Sequence, residues 1–257
     1  MGRRGKLTRS FLIQEKISQN SSREDVLEEL GWEMLNRFRG LEVPELDLDL
    51  EDKWVRVTIS GPDEGIAENL IAKTYGRLPS IEDVSAGDTF KGFVTDLGKV
   101  GYGVYFKAFA EDKDALYPLF EMRRQLARGK KLPARKIARA YGLVDDLALE
   151  IRVFKKDEKG VYVSLSPRQL AMIKGWMNRR LDVLFVVGAT PKQVRRALLR
   201  TGHRRDVSVI RMSFLSHALV CKERTQAKGL IPRLGPHLPG VILSVFSPAR
   251  VEEILSE

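Results

Sequence analysis

Between Gly87 and Leu170 the apolar residues come in short, strand-length runs punctuated by glycine, while on either side strand-like runs alternate with runs at helical spacing. A chain with such a change of period cannot fold as one helical bundle or one open sheet; it divides into units. The central runs are Phe90 to Leu97, Tyr102 to Phe106, Ala115 to Phe120, Leu147 to Phe154 and Val161 to Leu165. Five short strands of this kind predict a small OB-type β-barrel over 86–170. Between the third and fourth lies an insertion, 121–144, in which Pro133 is expected to open a helix as its first residue and Gly142 to stop it.

The flanks read differently. At the N-terminal side, Thr8 to Ile17 is strand-like, and Ser21-Ser22-Arg23-Glu24 has the spacing of a capping box. Val26, Leu27, Leu30, Met34, Leu35 and Phe38 then recur at helical spacing, ending near Gly40. The alternating Leu46 to Leu50, the strand Trp54 to Ile59 and a helix through Ile66, Ala67, Leu70 and Ile71 complete a β-α-β-β-α order over 1–85, the ferredoxin-like pattern. After the barrel, Ser166-Pro167-Arg168-Gln169 opens a connecting helix, and Thr190-Pro191-Lys192-Gln193 repeats the signature after the strand Leu181 to Val187. With runs Val207 to Phe214, Ser216 to Cys221 and Val241 to Phe246, and a helix around Leu230 to Leu234, residues 171–257 read as βαββαβ. The expected class is multidomain α+β, with a ferredoxin-like unit on each side of the barrel.

Charge separates the same units. Of the 257 residues, 1–85 hold 12 basic and 17 acidic side chains, 86–170 hold 17 and 11, and 171–257 hold 15 and 6, for a total of +10. The excess of cations thus belongs to the barrel and the C-terminal unit, and the N-terminal unit is acidic. Such polarity means that different segments face different partners.

Catalytic and cofactor chemistry finds little support. Cys221, the single cysteine, lies in an apolar strand and reads as an inert thiol, which fits a reduced, cytoplasmic protein. His203, His217 and His237 have no metal-ligand spacing, so neither a metal nor a cofactor is expected. Gly98 to Gly103 lacks the Gly-Lys-Ser/Thr ending of a phosphate loop and falls in a hairpin; Asp145-Asp146 reads as a solvated turn. No apolar run reaches the ~18 residues of a membrane span, so no membrane partner is expected. The first residues carry only Phe11-Leu12-Ile13 as an apolar stretch, too short for a signal peptide, and Lys6 breaks a myristoylation pattern.

Binding chemistry is better represented. Alternation along the first two barrel strands turns Phe93 and Tyr105 away from inward Val94, Val104 and Phe106, making them candidates for stacking on bases, with Lys91 nearby. In the insertion, Arg123, Arg124, Arg128, Lys130, Lys131, Arg135, Lys136 and Arg139 occur with no acid between Met122 and Val144. Eight unpaired cations repel one another unless a polyanion compensates. In the helix after Pro191, Lys192, Arg196 and Arg200 recur every fourth residue with Arg195 beside them, opposite Val194, Ala197, Leu198 and Thr201. That helix runs into His203, Arg204, Arg205 and Asp206, a turn dense in phosphate-binding groups.

Gly92-Phe93-Val94, Gly101 to Val104, Glu150 to Val153 and above all Val163-Ser164-Leu165-Ser166 before a helix resemble the RNA-binding OB fold of the ribosomal protein S one type. In that family aromatics of the second and third strands stack bases, and the positions of the usual Phe and His are Gly103 and Pro118 here. Over most of the chain, the order of the parts, together with Arg200 to Asp206, Leu219 to Glu223 and Lys228 to Pro232, resembles the archaeal family called domain of unknown function 2110. The resemblance implies an archaeal cytoplasmic protein with a central OB-like domain, and brings no activity with it. The expected function is non-enzymatic RNA binding as an accessory of the translation or transcription machinery, with the acidic unit left for ribosome or RNA polymerase subunits. The alternative is a protein scaffold docking on those assemblies and touching nucleic acid incidentally. A third, an RNA-processing enzyme, requires His203, Asp206 and Glu223 to come together.

Overall fold

The computed structural model describes residues 8–17 and 22–256, and the chain forms two compact units, Met1–Pro79 and Ser80–Glu257. In the first, β1 (Thr8–Lys16), β3 (Trp54–Ser60) and β2 (Glu45–Glu51) make an antiparallel sheet in the order β1-β3-β2. A single bridge from Ile13 to Arg77 adds the stub of a fourth strand beside β1. Helices α1 (Arg23–Arg37) and α2 (Glu64–Tyr75) contribute Val26, Leu30, Met34, Ala67 and Ile71 to a core shared with Val55, Val57 and Ile59. Ser22 is the cap residue of α1 and its side chain makes no capping bond; the capping box expected between Ser21 and Glu24 involves Ser21, which lies outside the described residues.

The second unit opens with a closed barrel of β4 (Thr89–Thr95), β5 (Gly103–Lys107), β6 (Asp114–Pro118), β7 (Ala148–Asp157) and β8 (Gly160–Leu165). The strand order is β4-β5-β6-β8-β7, and β6 meets β8 in parallel, Leu116 opposite Tyr162. Val94, Val104, Phe106, Ile151, Val153 and Val163 fill its interior. The insertion forms α3 (Leu119–Leu126) and α4 (Ala134–Ala140). Pro133 precedes α4 as its cap rather than being its first residue, and Gly142 follows it at φ 66°, a left-handed stop that suits glycine. Phe120, expected to end the third strand, belongs to α3.

Ser166 caps α5 (Pro167–Asn178) as its sequence requires, accepting the Gln169 amide at 3.0 Å. Then follow β9 (Val183–Val187), α6 (Pro191–Arg200), β10 (Val207–Arg211), β11 (Ser216–Cys221), α7 (Ala227–Leu234), β12 (Ile242–Phe246) and α8 (Pro248–Ser256). The sheet order is β10-β11-β9-β12, antiparallel throughout. A full capping box starts α6: Thr190 accepts from the Gln193 amide, and Gln193 accepts the Thr190 amide at 2.9 Å.

Both faces of this sheet are buried, which explains the uninterrupted apolar run of β9. Leu184, Val186 and Leu219 pack with Val194, Ala197 and Leu198 of α6 and with Leu230 and Leu234 of α7. Phe185, Val187, Ala218 and Val220 belong instead to the barrel's core. Trp176 of α5 joins the two, with ring centroids 6.1 Å from Phe185 and 5.7 Å from Phe246, and Tyr141 lies 5.9 Å from Phe246.

Candidate nucleic-acid interface

Register brings one set of strand ends together. Val183 begins β9 opposite Phe246, the end of β12, and opposite Val220 near the end of β11; Val207 begins β10 opposite Cys221. Past this end of the sheet, α4 of the barrel's insertion faces the β11–α7 connection across a cleft of about 1320 Å³. Leu143, Val144, Leu181, Ile231, Leu243 and Val245 give it apolar walls. Arg135, Arg139, Arg179, Arg180, Lys222, Arg224, Lys228 and Arg250 are its cations, against the acids Asp182, Glu223 and Glu253. Two of those eight are partly committed: Arg179 Nε donates to the Gly175 carbonyl at 3.1 Å, and Arg180 lies 3.7 Å from Glu252. Among the acids, Asp182 accepts the Ala227 amide at 3.3 Å, at the start of α7. Unbalanced positive charge beside low-dielectric walls concentrates anions.

The structure revises the insertion's charge. Arg124 is paired with Glu121, 2.7 Å away, an acid one residue outside the window read as acid-free. Arg123 Nε donates to the Leu132 carbonyl at 2.9 Å, and Lys130 Nζ donates to the Leu255 carbonyl at the end of α8. Lys136 is half-buried and has a partner. The expectation of eight unpaired cations therefore fails, because these side chains hold the insertion together and tie it to α8. Arg128, Lys131, Arg135 and Arg139 remain exposed, and the last two line the cleft.

On α6, Arg195, Arg196 and Arg200 are exposed, as are Arg204 and Arg205 in the following turn; Lys192, also exposed, has a partner. None of these residues lines the cleft. A backbone hydrogen bond links their turn to it: the Lys222 amide, on the cleft wall, donates to the Asp206 carbonyl at 2.9 Å. His203 Nδ1 lies 2.7 Å from Asp206 Oδ2, which orients the ring, while Glu223 stands on the cleft wall. Among the described residues no three His, Cys, Asp or Glu side chains are grouped to hold a metal. Burial pushes the Cys221 thiol up to about 12, in keeping with an unreactive role.

Phe93 is not a stacking residue. It points away from the barrel interior, yet it is 2% exposed, so its ring offers no face to a base; its strand neighbour Ala148 donates its amide to Ser216 Oγ of β11 at 3.3 Å. Lys91 on β4 is half-buried and has a partner. Tyr105 does face outward, and it belongs to a group of aromatics that alternation in two strands did not reveal. Register aligns Tyr105, Leu116 and Tyr162 across β5, β6 and β8. Phe154 lies 6.1 Å from Phe120 and 6.4 Å from Tyr162, centroid to centroid, and Lys155 Nζ lies 5.3 Å above the Tyr162 ring. Tyr102 closes the group from the hairpin, its hydroxyl 2.8 Å from that of Tyr105, a bond that raises Tyr105 to about 12. Phe120 is 60% exposed and Tyr102 56%.

Two local devices create this face. Gly103 pairs with Pro118, and a β-carbon at Gly103 would fall 2.5 Å from the Tyr117 carbonyl oxygen, so no aromatic fits that position. In β7 alternation around the buried Leu149, Ile151 and Val153 turns Phe154 outward, and the register shift between Val153 and Lys155 leaves Phe154 without a strand partner and places Lys155 opposite Tyr162. Alternation around the buried Val161, Val163 and Leu165 was the available signal for Tyr162. The same alternation, around Leu149, Ile151 and Val153, marks Phe154.

Models of three family domains match the chain: the DUF2110 N-terminal domain over 11–81, the DUF2110 central domain over 84–177 and the DUF2110 C-terminal domain over 181–246. No curated protein is found to match it.

Proposed function

We propose that this chain, which belongs to the DUF2110 family, is a non-enzymatic, cytoplasmic RNA-binding accessory of the archaeal translation or transcription machinery. The observation that carries the reading is the cleft, whose guanidinium and ammonium groups come from the barrel's insertion and from the helices and connections around the C-terminal sheet. A phosphate backbone lying there would displace counterions, the main source of nucleic-acid affinity. From the cleft the basic surface would continue past Lys222 to Arg204, Arg205 and Arg200. The closed five-stranded barrel, with its third strand parallel to its fifth, supports reading this unit as an OB-type nucleic-acid-binding barrel. On its outer side, Tyr102, Tyr105, Tyr162, Phe154 and Phe120 would offer sequence-tolerant stacking to unpaired bases. No helix is long and apolar enough to cross a membrane among the described residues.

The test is a titration of fluorescent single-stranded RNA at several salt concentrations. Engagement of ~5 phosphates gives a log–log slope near −3.5, at about −0.7 per phosphate. A salt-independent response, or no complex at low salt, overturns the reading. Partners purified from the host that persist after nuclease treatment would favour a protein scaffold instead.

A further inference from the structure

The three-stranded sheet of the N-terminal unit has an open border along β2, on which the Leu50 amide donates to the neighbouring Asp49 Oδ1 at 2.7 Å, a bond an added strand would have to displace. Among the described residues β2 is bonded only to β3, and it runs seven residues without proline or bulge, from Glu45 opposite Ser60 to Glu51 opposite Trp54. A regular edge of that length presents a row of backbone groups to any chain able to pair with it.

Its two faces differ in chemistry. Leu46, Leu48 and Leu50 stand beside Ile59, Val57 and Val55, which are fully buried, yet all three leucines are only half-buried. Helix α1 passes over this side, since a β-carbon at Gly31 would lie 3.4 Å from Leu48 Cδ1. It leaves the side incompletely covered and exposes Trp32 (69%) and Leu35 (50%). On the opposite face Asp47 and Asp49 are exposed beside Thr58 and Arg56, and Arg56 is already paired with Glu51.

We propose that this border receives an extended segment of a partner protein as an added strand, with alternating apolar and basic side chains. Backbone bonds to β2 would supply affinity. The apolar side chains would complete the cover over Leu46, Leu48 and Leu50, and the Lys or Arg side chains would lie opposite Asp47 and Asp49, where unlike charges on neighbouring strands attract. The alternation of β2 selects this occupant: an acidic strand would meet like charge, and an all-polar one would leave the leucines half-covered. This inference is independent of RNA binding, which involves the other unit.

The full chain is mixed with a synthetic heptapeptide of alternating Lys and Val, and hydrogen exchange is followed by mass spectrometry over 45–51. The expected result is slowed exchange in β2 with this peptide and none with an alternating Glu and Val peptide. The double variant Asp47→Lys/Asp49→Lys, altered only at exposed positions, should exchange the two preferences. Unchanged exchange in β2, equal protection by both peptides, or a variant that keeps the original preference would overturn the proposal, whatever the RNA titration shows.

Discussion

Gly142 lies so close to Val245 that a β-carbon on it would fall 2.6 Å from the Val245 carbonyl oxygen. With its φ of 66° and its carbonyl accepting the Ser244 hydroxyl at 2.9 Å, Gly142 clasps the end of the insertion to β12. That clasp forms one wall of the basic cleft. Gly142→Ala should cost about 1–3 kcal/mol from backbone strain, read in urea unfolding, and should weaken RNA binding as the wall shifts. Ser244→Ala, which removes one bond, should cost about 0.5–1.5 kcal/mol.

The cations of the cleft should differ measurably from the committed ones. Arg135→Ala/Arg139→Ala should weaken binding equally across RNA sequences and reduce the salt slope by about 0.7 for each phosphate left without its cation. Lys130→Ala should act mainly on stability, because its ammonium serves the end of α8. Salt-dependent gel shifts and thermal melts separate the two.

On the aromatic face, Tyr162→Ala or Phe154→Ala should each cost about 1–3 kcal/mol in single-strand affinity and little in duplex affinity. Phe93→Ala should show the opposite pattern, destabilising the fold by about 3–5 kcal/mol as a buried ring is removed, with no effect on affinity in chains that remain folded. Fluorescence anisotropy beside chemical unfolding checks both.

His217 makes a prediction about pH. It is 1% exposed with neither ring nitrogen hydrogen-bonded, and burial, with a smaller contribution from Arg211, pushes it down from 6.5 to about 4. Between these values the unfolded chain takes up a proton that the folded chain refuses. Stability is therefore full above pH 6.5 and falls as the pH drops towards 4, by about 3 kcal/mol over the window. His217→Leu should remove that part of the slope and be neutral or stabilising at pH 7, since it abandons two unpaired polar atoms. Urea midpoints of both proteins from pH 4 to 8 provide the measurement.

Much of the local architecture was legible beforehand because its causes are local. Thr190, Pro191 and Gln193 sit within four residues, so the start of α6 and its exposed arginine face could be read directly. Short runs and glycines likewise marked the five barrel strands. The expected order omits helix α8, although its signal is equally local: Ser247-Pro248 opens it as Thr190-Pro191 opens α6, and Val251 and Leu255 have helical spacing. The site was only half legible. Arg135 and Arg139 stand out by charge alone, whereas Arg180, Lys222 and Arg224 lie in connections and Arg250 in α8, and they meet only beside the ends of strands.

The sequence by itself determined the kinds of element, their order and the division between an acidic first unit and a basic remainder, since periodicity, capping and net charge are properties of neighbouring residues. Tertiary structure alone decided which of those residues can act. Phe93 and Tyr105 are equivalent by alternation, yet Phe93 is buried by the folded chain and Tyr105 is not. Lys130 and Lys131 are adjacent, yet only Lys130 reaches the Leu255 carbonyl, 125 residues away. Exposure and pairing depend on whatever the fold brings alongside a side chain, and those neighbours come from distant parts of the chain.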